Sequence, residues 1–256
     1  MFALLCKGFK LKMTTGVLIA FTIIGLWATS LGFLISLDLS KISIFYTLLA
    51  LLWQTFLYTG LFITAHDAMH GVACPRNTKI NNLIGEVTLL IYALFSYKEL
   101  LKNHWLHHHY PASSLDPDFY NKKQENVLFW YFSFFKTYFS WKQLLGLTFM
   151  FNAIVYTFHV PEASLILFWV IPSILSSIQL FCFGTFLPHR EPVGGYTNLH
   201  CAQSNSLPVF WSFITCYHFG YHLEHHEYPH VPWWQLPIVH QRLQQQDLPR
   251  YSSTKI

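Results

Sequence analysis

Fifteen histidines stand in this 256-residue chain, and most fall in three stretches whose spacing suits metal. His66-Asp-Ala-Met-His70 sets two imidazoles four apart. His104-Trp-Leu-His107-His108 and His222-Leu-Glu-His225-His226 each give an i, i+3, i+4 triplet. Residues three and four apart share a helix face, so each stretch presents its rings as one patch of donors. His218 lies four before His222 and extends the last patch by a turn if one helix runs from 218 to 226. A zinc ion is saturated by three or four such ligands. Eight imidazoles suffice for two ions, with positions left open for oxygen or water.

Further donors stand nearby. His189 ends a predicted apolar helix at the level of His70, so with His218 it is a candidate additional ligand; His200 is a weaker one, in a loop. His109 points off its patch and suits hydrogen bonding, while His159, His230 and His240 have no metal-like spacing. Asp67, Asp116 and Glu224 lie beside the histidines and are the candidate catalytic carboxylates, suited to orienting ligand imidazoles. Asp118 fits that role or a surface cap. Imidazole accepts iron, copper, nickel and zinc alike, so donor type alone does not select the metal.

The elements that position these rings are apolar. The chain is 53% hydrophobic and 11% charged, where soluble domains carry about 25% charge. Aromatics reach 18%, as suits lipid contact and interfacial belts. A net charge of +4, with no basic run among stacking aromatics, speaks against nucleic acid. Five widely spaced cysteines with no CxxC pair give neither a disulfide framework nor a thiolate zinc site and read as packing residues.

Apolar runs from about residue 16 to 37 and 42 to 64 are each long enough to cross about 30 Å of hydrocarbon. The first follows Lys7, Lys10 and Lys12; it is too long for a signal peptide and has no cleavage site, so it reads as a retained helix. A shorter run, 83–95, predicts a re-entrant or membrane-edge helix, and 127–139 an aromatic interfacial helix. Runs 144–158 and 164–187, joined by His159-Val-Pro-Glu-Ala163, predict a second hairpin. Two hairpins place all but Lys41 of the 16 Lys and Arg on one side, which the positive-inside rule makes cytoplasmic. The histidine stretches fall on that same side. The expectation is an all-α integral membrane protein, one domain over 1–256, with about four spans and a cytoplasmic helical cap holding a dinuclear site. Trp233 and Trp234 read as interfacial anchors.

A buried two-metal site of neutral donors beside apolar helices suits oxygen chemistry on a lipid-like substrate, a redox role that iron can take and zinc cannot. No GxSxG nucleophile supports hydrolysis. The three histidine boxes resemble those of the membrane fatty-acid desaturase and hydroxylase superfamily. Within it, Asp116-Pro-Asp118-Phe, Leu187-Pro-His189-Arg190 and Glu224-His225-His226-Glu-Tyr-Pro-His-Val-Pro-Trp-Trp-Gln-Leu-Pro237 resemble the bacterial-type beta-carotene ketolases over roughly residues 45–240. That resemblance implies two non-haem iron ions held by the eight box histidines and O2 as co-substrate. It implies a carotenoid drawn from the bilayer lipid, whose ring carbon 4 becomes a ketone through two hydroxylations and loss of water. His189 matches the histidine ending the last hairpin in related hydroxylases, and His218 stands where some relatives carry Asn. These 256 residues contain no stretch that reads as an electron-transfer module, so electrons are expected from a separate carrier such as ferredoxin. A carotenoid hydroxylase or lipid desaturase of the same superfamily is the nearest alternative. A membrane metal transporter is the alternative of another class, although transport favours polar or ionisable residues inside the spans, and the four candidate spans contain few.

Overall fold

The computed structural model describes residues 13–120 and 126–245. The expected role of Lys7, Lys10 and Lys12 lies outside these residues. Every regular element among them is helical: α1 (Met13–Ile35), α2 (Ile44–Met69), α3 (Thr78–Ala93), α4 (Tyr97–His109), α5 (Val127–Tyr138), α6 (Trp141–Phe158), α7 (Glu162–His189), α8 (Val209–Cys216), α9 (His222–Glu227) and α10 (Leu236–Gln244).

Among the described residues three helices are long and apolar enough to cross a membrane, Thr15–Ile35, Ile44–Met69 and Glu162–His189, and the bent pair Thr78–Ala93 with Tyr97–His109 makes a fourth if it counts as one span. The predicted span 144–158 lies within α6, which has 18 residues, about 27 Å at the helical rise. Its composition is less apolar, since Lys142, Gln143 and Asn152 fall within it. Phe158, His159 and Val160 nevertheless line one cavity with Leu37, Asp38 and Ser40. Both hairpin turns therefore meet at one end, and α6 carries the chain back to the end opposite the histidines.

The central helix is α2, which packs on α1, α3 and α7. It is buried continuously from Leu57 to Met69 except for Phe62, and that buried half ends in the first histidine pair. Asn77 caps α3 by accepting from the Ile80 N–H (3.1 Å), and Leu94 ends it in the left-handed conformation (φ 57°). Ser96 then caps α4, and the two axes meet at 101°. The predicted short 83–95 helix is thus one arm of an elbow whose other arm carries the second histidine box.

Helix α7 contains two π-helical turns, Ile166–Val170 and Cys182–Phe186. Each is followed within two residues by a proline, Pro172 and Pro188. Proline lacks an N–H, and its ring clashes with the carbonyl four residues back; here those carbonyls, of Phe168 and Gly184, lie in the widened turns that absorb the clash. The second turn delivers His189 to the site.

The predicted continuous helix through 218–226 does not form. Tyr217 (φ 49°) and His218 (φ 63°) are both left-handed, and the His218 N–H reaches back to the Ser212 carbonyl (3.0 Å), closing α8 with a Schellman-type turn. Helix α9 begins afresh at His222, so His218 does not share its face.

Candidate metal centre

Nine imidazoles converge in two groups. His66 and His70 of α2, His104 and His108 of α4, and His225 of α9 form the first; His107 of α4, His189 of α7, and His222 and His226 of α9 form the second. Within each group the ring nitrogens lie within 4.8 Å of one another. The i, i+3, i+4 boxes are split rather than used whole: α4 sends His104 and His108 to one group and His107 to the other, and α9 divides the same way. A helix rotates about 100° per residue, so i+3 and i+4 flank a face and aim at two neighbouring points.

The close approaches fit metal ions better than hydrogen bonds. Nε2 of His226 lies 3.1 Å from that of His222 and 3.2 Å from that of His107. Nε2 pairs also meet at 2.9 Å for His189 with His222, 3.0 Å for His108 with His225 and 2.6 Å for His70 with His104. A neutral imidazole carries one N–H, so these contacts cannot all be hydrogen bonds. Ligands about 2.1 Å from an ion and at right angles stand about 3 Å apart. His66 Nε2 is buried without a partner among the described residues, as an atom reserved for a ligand would be. Burial holds His222, His225 and His226 well below the usual imidazole range, which keeps them neutral and able to donate a lone pair.

The outward nitrogens are fixed unevenly. Nδ1 of His107 faces Asp116 Oδ1 and Oδ2 at 3.0 and 3.1 Å, and Nδ1 of His189 donates to the Cys201 carbonyl at 2.9 Å. Both arrangements leave Nε2 to face inward. Asp116 is itself held by the N–H groups of Ala112 and Asp118, each at 2.9 Å. Of the three candidate carboxylates, only Asp116 bonds a grouped imidazole. Asp67 lies 4.0 Å from His66 Nδ1 and instead accepts the Trp233 N–H at 3.4 Å. Glu224 turns away from the donors, being one residue before His225, and accepts from His240 (2.7 Å) and from the Ser204 hydroxyl. His240, which sequence spacing marked as bland, therefore braces the back of α9 from α10. A buried glutamate beside a histidine box was the only available hint that some partner had to face it.

The structure brings His189 into the second group and leaves His218 out of both. The His218 ring stacks on Tyr221 (5.8 Å between centroids) and neighbours Phe213 and Trp233. His200 lies beside His226 (5.7 Å) but joins neither group, and His109 donates to the Trp105 carbonyl (2.6 Å). Trp233, expected as a lipid anchor, packs flat on Phe213 (5.9 Å) under α8.

An apolar cavity opens onto this centre. Phe95, Phe134, Phe135 and Phe139 line its hydrocarbon end, and His66, His104, His107 and His222, from both groups, line the other. Phe219 roofs it, its ring 4.7 Å from His66 and 5.1 Å from His222. Asp118 and Tyr138 also line the cavity. Burial, with the charge of Asp116 adding, pushes the Asp118 carboxyl up to about 6.

An apolar integral membrane helix bundle with two buried histidine clusters beside a hydrocarbon-lined cavity defines a class, and sequence comparison gives it a family. The fatty acid desaturase profile matches residues 41–154 and 131–255; the chain belongs to that family. It is 42% identical over 191 residues to a beta-carotene ketolase of Paracoccus sp. strain PC1, covering 74% of this chain and 77% of that one. It is 35% identical over 239 residues to a zeaxanthin 4-ketolase of Chlamydomonas reinhardtii (88% and 53%) and 40% identical over 188 residues to beta-carotene 4-ketolase 3 of Haematococcus lacustris (71% and 58%). The chain spans little more than half the length of the two algal relatives.

Proposed function

We propose that this chain is a beta-carotene 4-ketolase, an O2-dependent oxygenase that converts ring carbon 4 of a beta-ionone ring to a ketone. The observation that carries this reading is one cavity lined both by aromatic side chains and by histidines of both clusters. The identities of 35–42% to named ketolases supply the substrate class.

His66, His70, His104, His108 and His225 would hold one iron ion, and His107, His189, His222 and His226 the other. When bound, the pair supplies the redox chemistry that activates O2 against a C–H bond, which no protein side chain offers. The chain's own part is positional. The phenylalanines exclude water and seat an apolar ring, Phe219 limits how closely it approaches the histidines, and Asp116 orients His107. All nine donors are imidazoles, so neither cluster takes a carboxylate as a ligand. Each hydroxylation consumes two electrons, which a separate carrier such as ferredoxin would deliver. The basic residues gathered at the histidine end support reading that end as cytoplasmic. Between them the two clusters draw on α2, α4, α7 and α9, which supports reading the chain as one domain.

Polar groups inside the spans are few, which argues against the transporter. Thr59, Ser176 and Gln179 bond one another (Thr59 Oγ1 to Gln179 Oε1 2.6 Å, to Ser176 Oγ 3.0 Å), as expected of uncharged groups that join helices. Expression in a host that accumulates beta-carotene should yield echinenone and canthaxanthin. Hydroxylated products alone would favour the carotenoid hydroxylase; unchanged pigment would overturn the assignment.

A further inference from the structure

A hydrocarbon ring needs no polar partner, yet the ring cavity contains one carboxylate. Asp118 sits beside His107 where the aromatic end gives way to the histidines. A carboxylate in such a place is costly unless its oxygens are used. The backbone around it is tightly specified: its N–H donates to Asp116 Oδ1 (2.9 Å), and its carbonyl accepts the Trp130 indole N–H (2.7 Å). The Tyr138 hydroxyl donates to Oδ1. Oδ2 lies 3.8 Å from His107 Nδ1, beyond hydrogen-bond reach, and that nitrogen is already committed to Asp116. Tyr138 thus holds the carboxylate by one oxygen and leaves the other for a donor in the cavity.

We propose that Asp118, positioned by Tyr138, accepts a hydrogen bond from the hydroxyl that the first oxidation places on the ring, and thereby commits the same carbon to a second oxidation. This specificity role rests on the ketolase reading. The first turnover replaces C–H by C–OH, with O2, two electrons from the carrier and two protons giving one water. The second repeats that balance on the same carbon and gives a geminal diol, which loses water to leave C=O. Between the two, the alcohol must stay in register. Pinning its hydroxyl on Asp118 turns the remaining C–H of that carbon toward the histidines, and a charge-assisted hydrogen bond in an apolar site retains it. A buried group built to bond a hydroxyl discriminates strongly against a ligand that lacks one. The same pair therefore distinguishes the alcohol from the parent hydrocarbon.

Asp118→Asn and Tyr138→Phe test this in the full chain. In beta-carotene-accumulating cells, the ratio of 4-hydroxylated to 4-keto rings should rise about tenfold or more for Asp118→Asn, and less for Tyr138→Phe, as expected for loss of one charged hydrogen bond. Binding needs no turnover: quenching of tryptophan emission by 4-hydroxy-beta-carotene and by beta-carotene, in detergent-purified protein, should show affinity for the alcohol falling about tenfold relative to the hydrocarbon. Alcohol and ketone falling in equal proportion, or both ligands weakening equally, would reduce the pair to a structural brace and overturn the proposal. If Asp118→Asn does not fold, Tyr138→Phe carries the test, and an unchanged ratio and unchanged relative affinity overturn it. A wild-type chain that makes ketone while the variants keep its product ratio sinks this proposal alone; a wild-type chain that makes none sinks the ketolase reading with it.

Discussion

His107 faces two ways: its Nδ1 lies 3.0 Å from Asp116 Oδ1, and its Nε2 lies 3.2 Å from His226 Nε2. The carboxylate therefore sets the tautomer of a ring at the heart of the second cluster. Loss of such an outer partner weakens metal binding about 10–100-fold. Asp116→Asn should shift metal titration of the purified protein by that amount, with the first cluster affected only through the helices it shares.

His189 and His218 should behave oppositely. His189→Ala removes a donor from the second cluster and should bring metal content, read by plasma mass spectrometry, below two ions per chain. His218→Ala should keep full metal content, because that ring packs among Tyr221, Phe213 and Trp233. Metal loss in His218→Ala would show that the loop swings the ring into the centre.

Gly184 lies where a β-carbon would strike the Phe219 ring. Gly184→Ala should drive that ring toward His66 and His222 and narrow the cavity. Overpacking of this kind costs about 1–3 kcal/mol. Thermal unfolding should register the loss, and carotenoid binding should weaken with it.

Acid should unfold the metal-free chain. His222, His225 and His226 have depressed values when folded, while unfolded imidazoles titrate near 6.5. The unfolded chain then binds more protons, so stability is full above about pH 6.5 and falls below it, by up to about 1.4 kcal/mol per pH unit for each ring. Chelator-treated protein followed by circular dichroism should lose its folding midpoint in that window. A pH-independent midpoint between 5 and 7 would contradict the burial of these rings.

The three boxes, the two long hairpins and the apolar surroundings were legible from periodicity, because spacing and run length are local properties. The division of each box between two clusters was not. Spacing shows that His104, His107 and His108 share a face, but only the approach of α7 and α9 decides which ring meets which partner. The status of His218 was misread for a related reason. An i, i+4 relation to His222 implies a shared face only if the helix continues, and two consecutive left-handed residues, Tyr217 and His218, interrupt it with no proline to announce the break. The π turns of α7 were hidden similarly, although Pro172 and Pro188 mark them in hindsight. Asp116 was recognised as a partner because it neighbours a box in sequence, whereas His240 approaches Glu224 from another helix.

Because α4 and α9 each serve both clusters, two ions held there would be thermodynamically linked. Helix α9 has only six residues, too few to persist without tertiary support. Seating either ion would order α4 and α9 together, so the second would meet a preformed pocket and not repeat the entropic cost of ordering it. Loading should then be close to all-or-none, with singly occupied chains scarce at any metal supply. For the oxygen-dependent catalyst proposed above, that linkage would limit the population most prone to uncoupled oxidation, the half-assembled one.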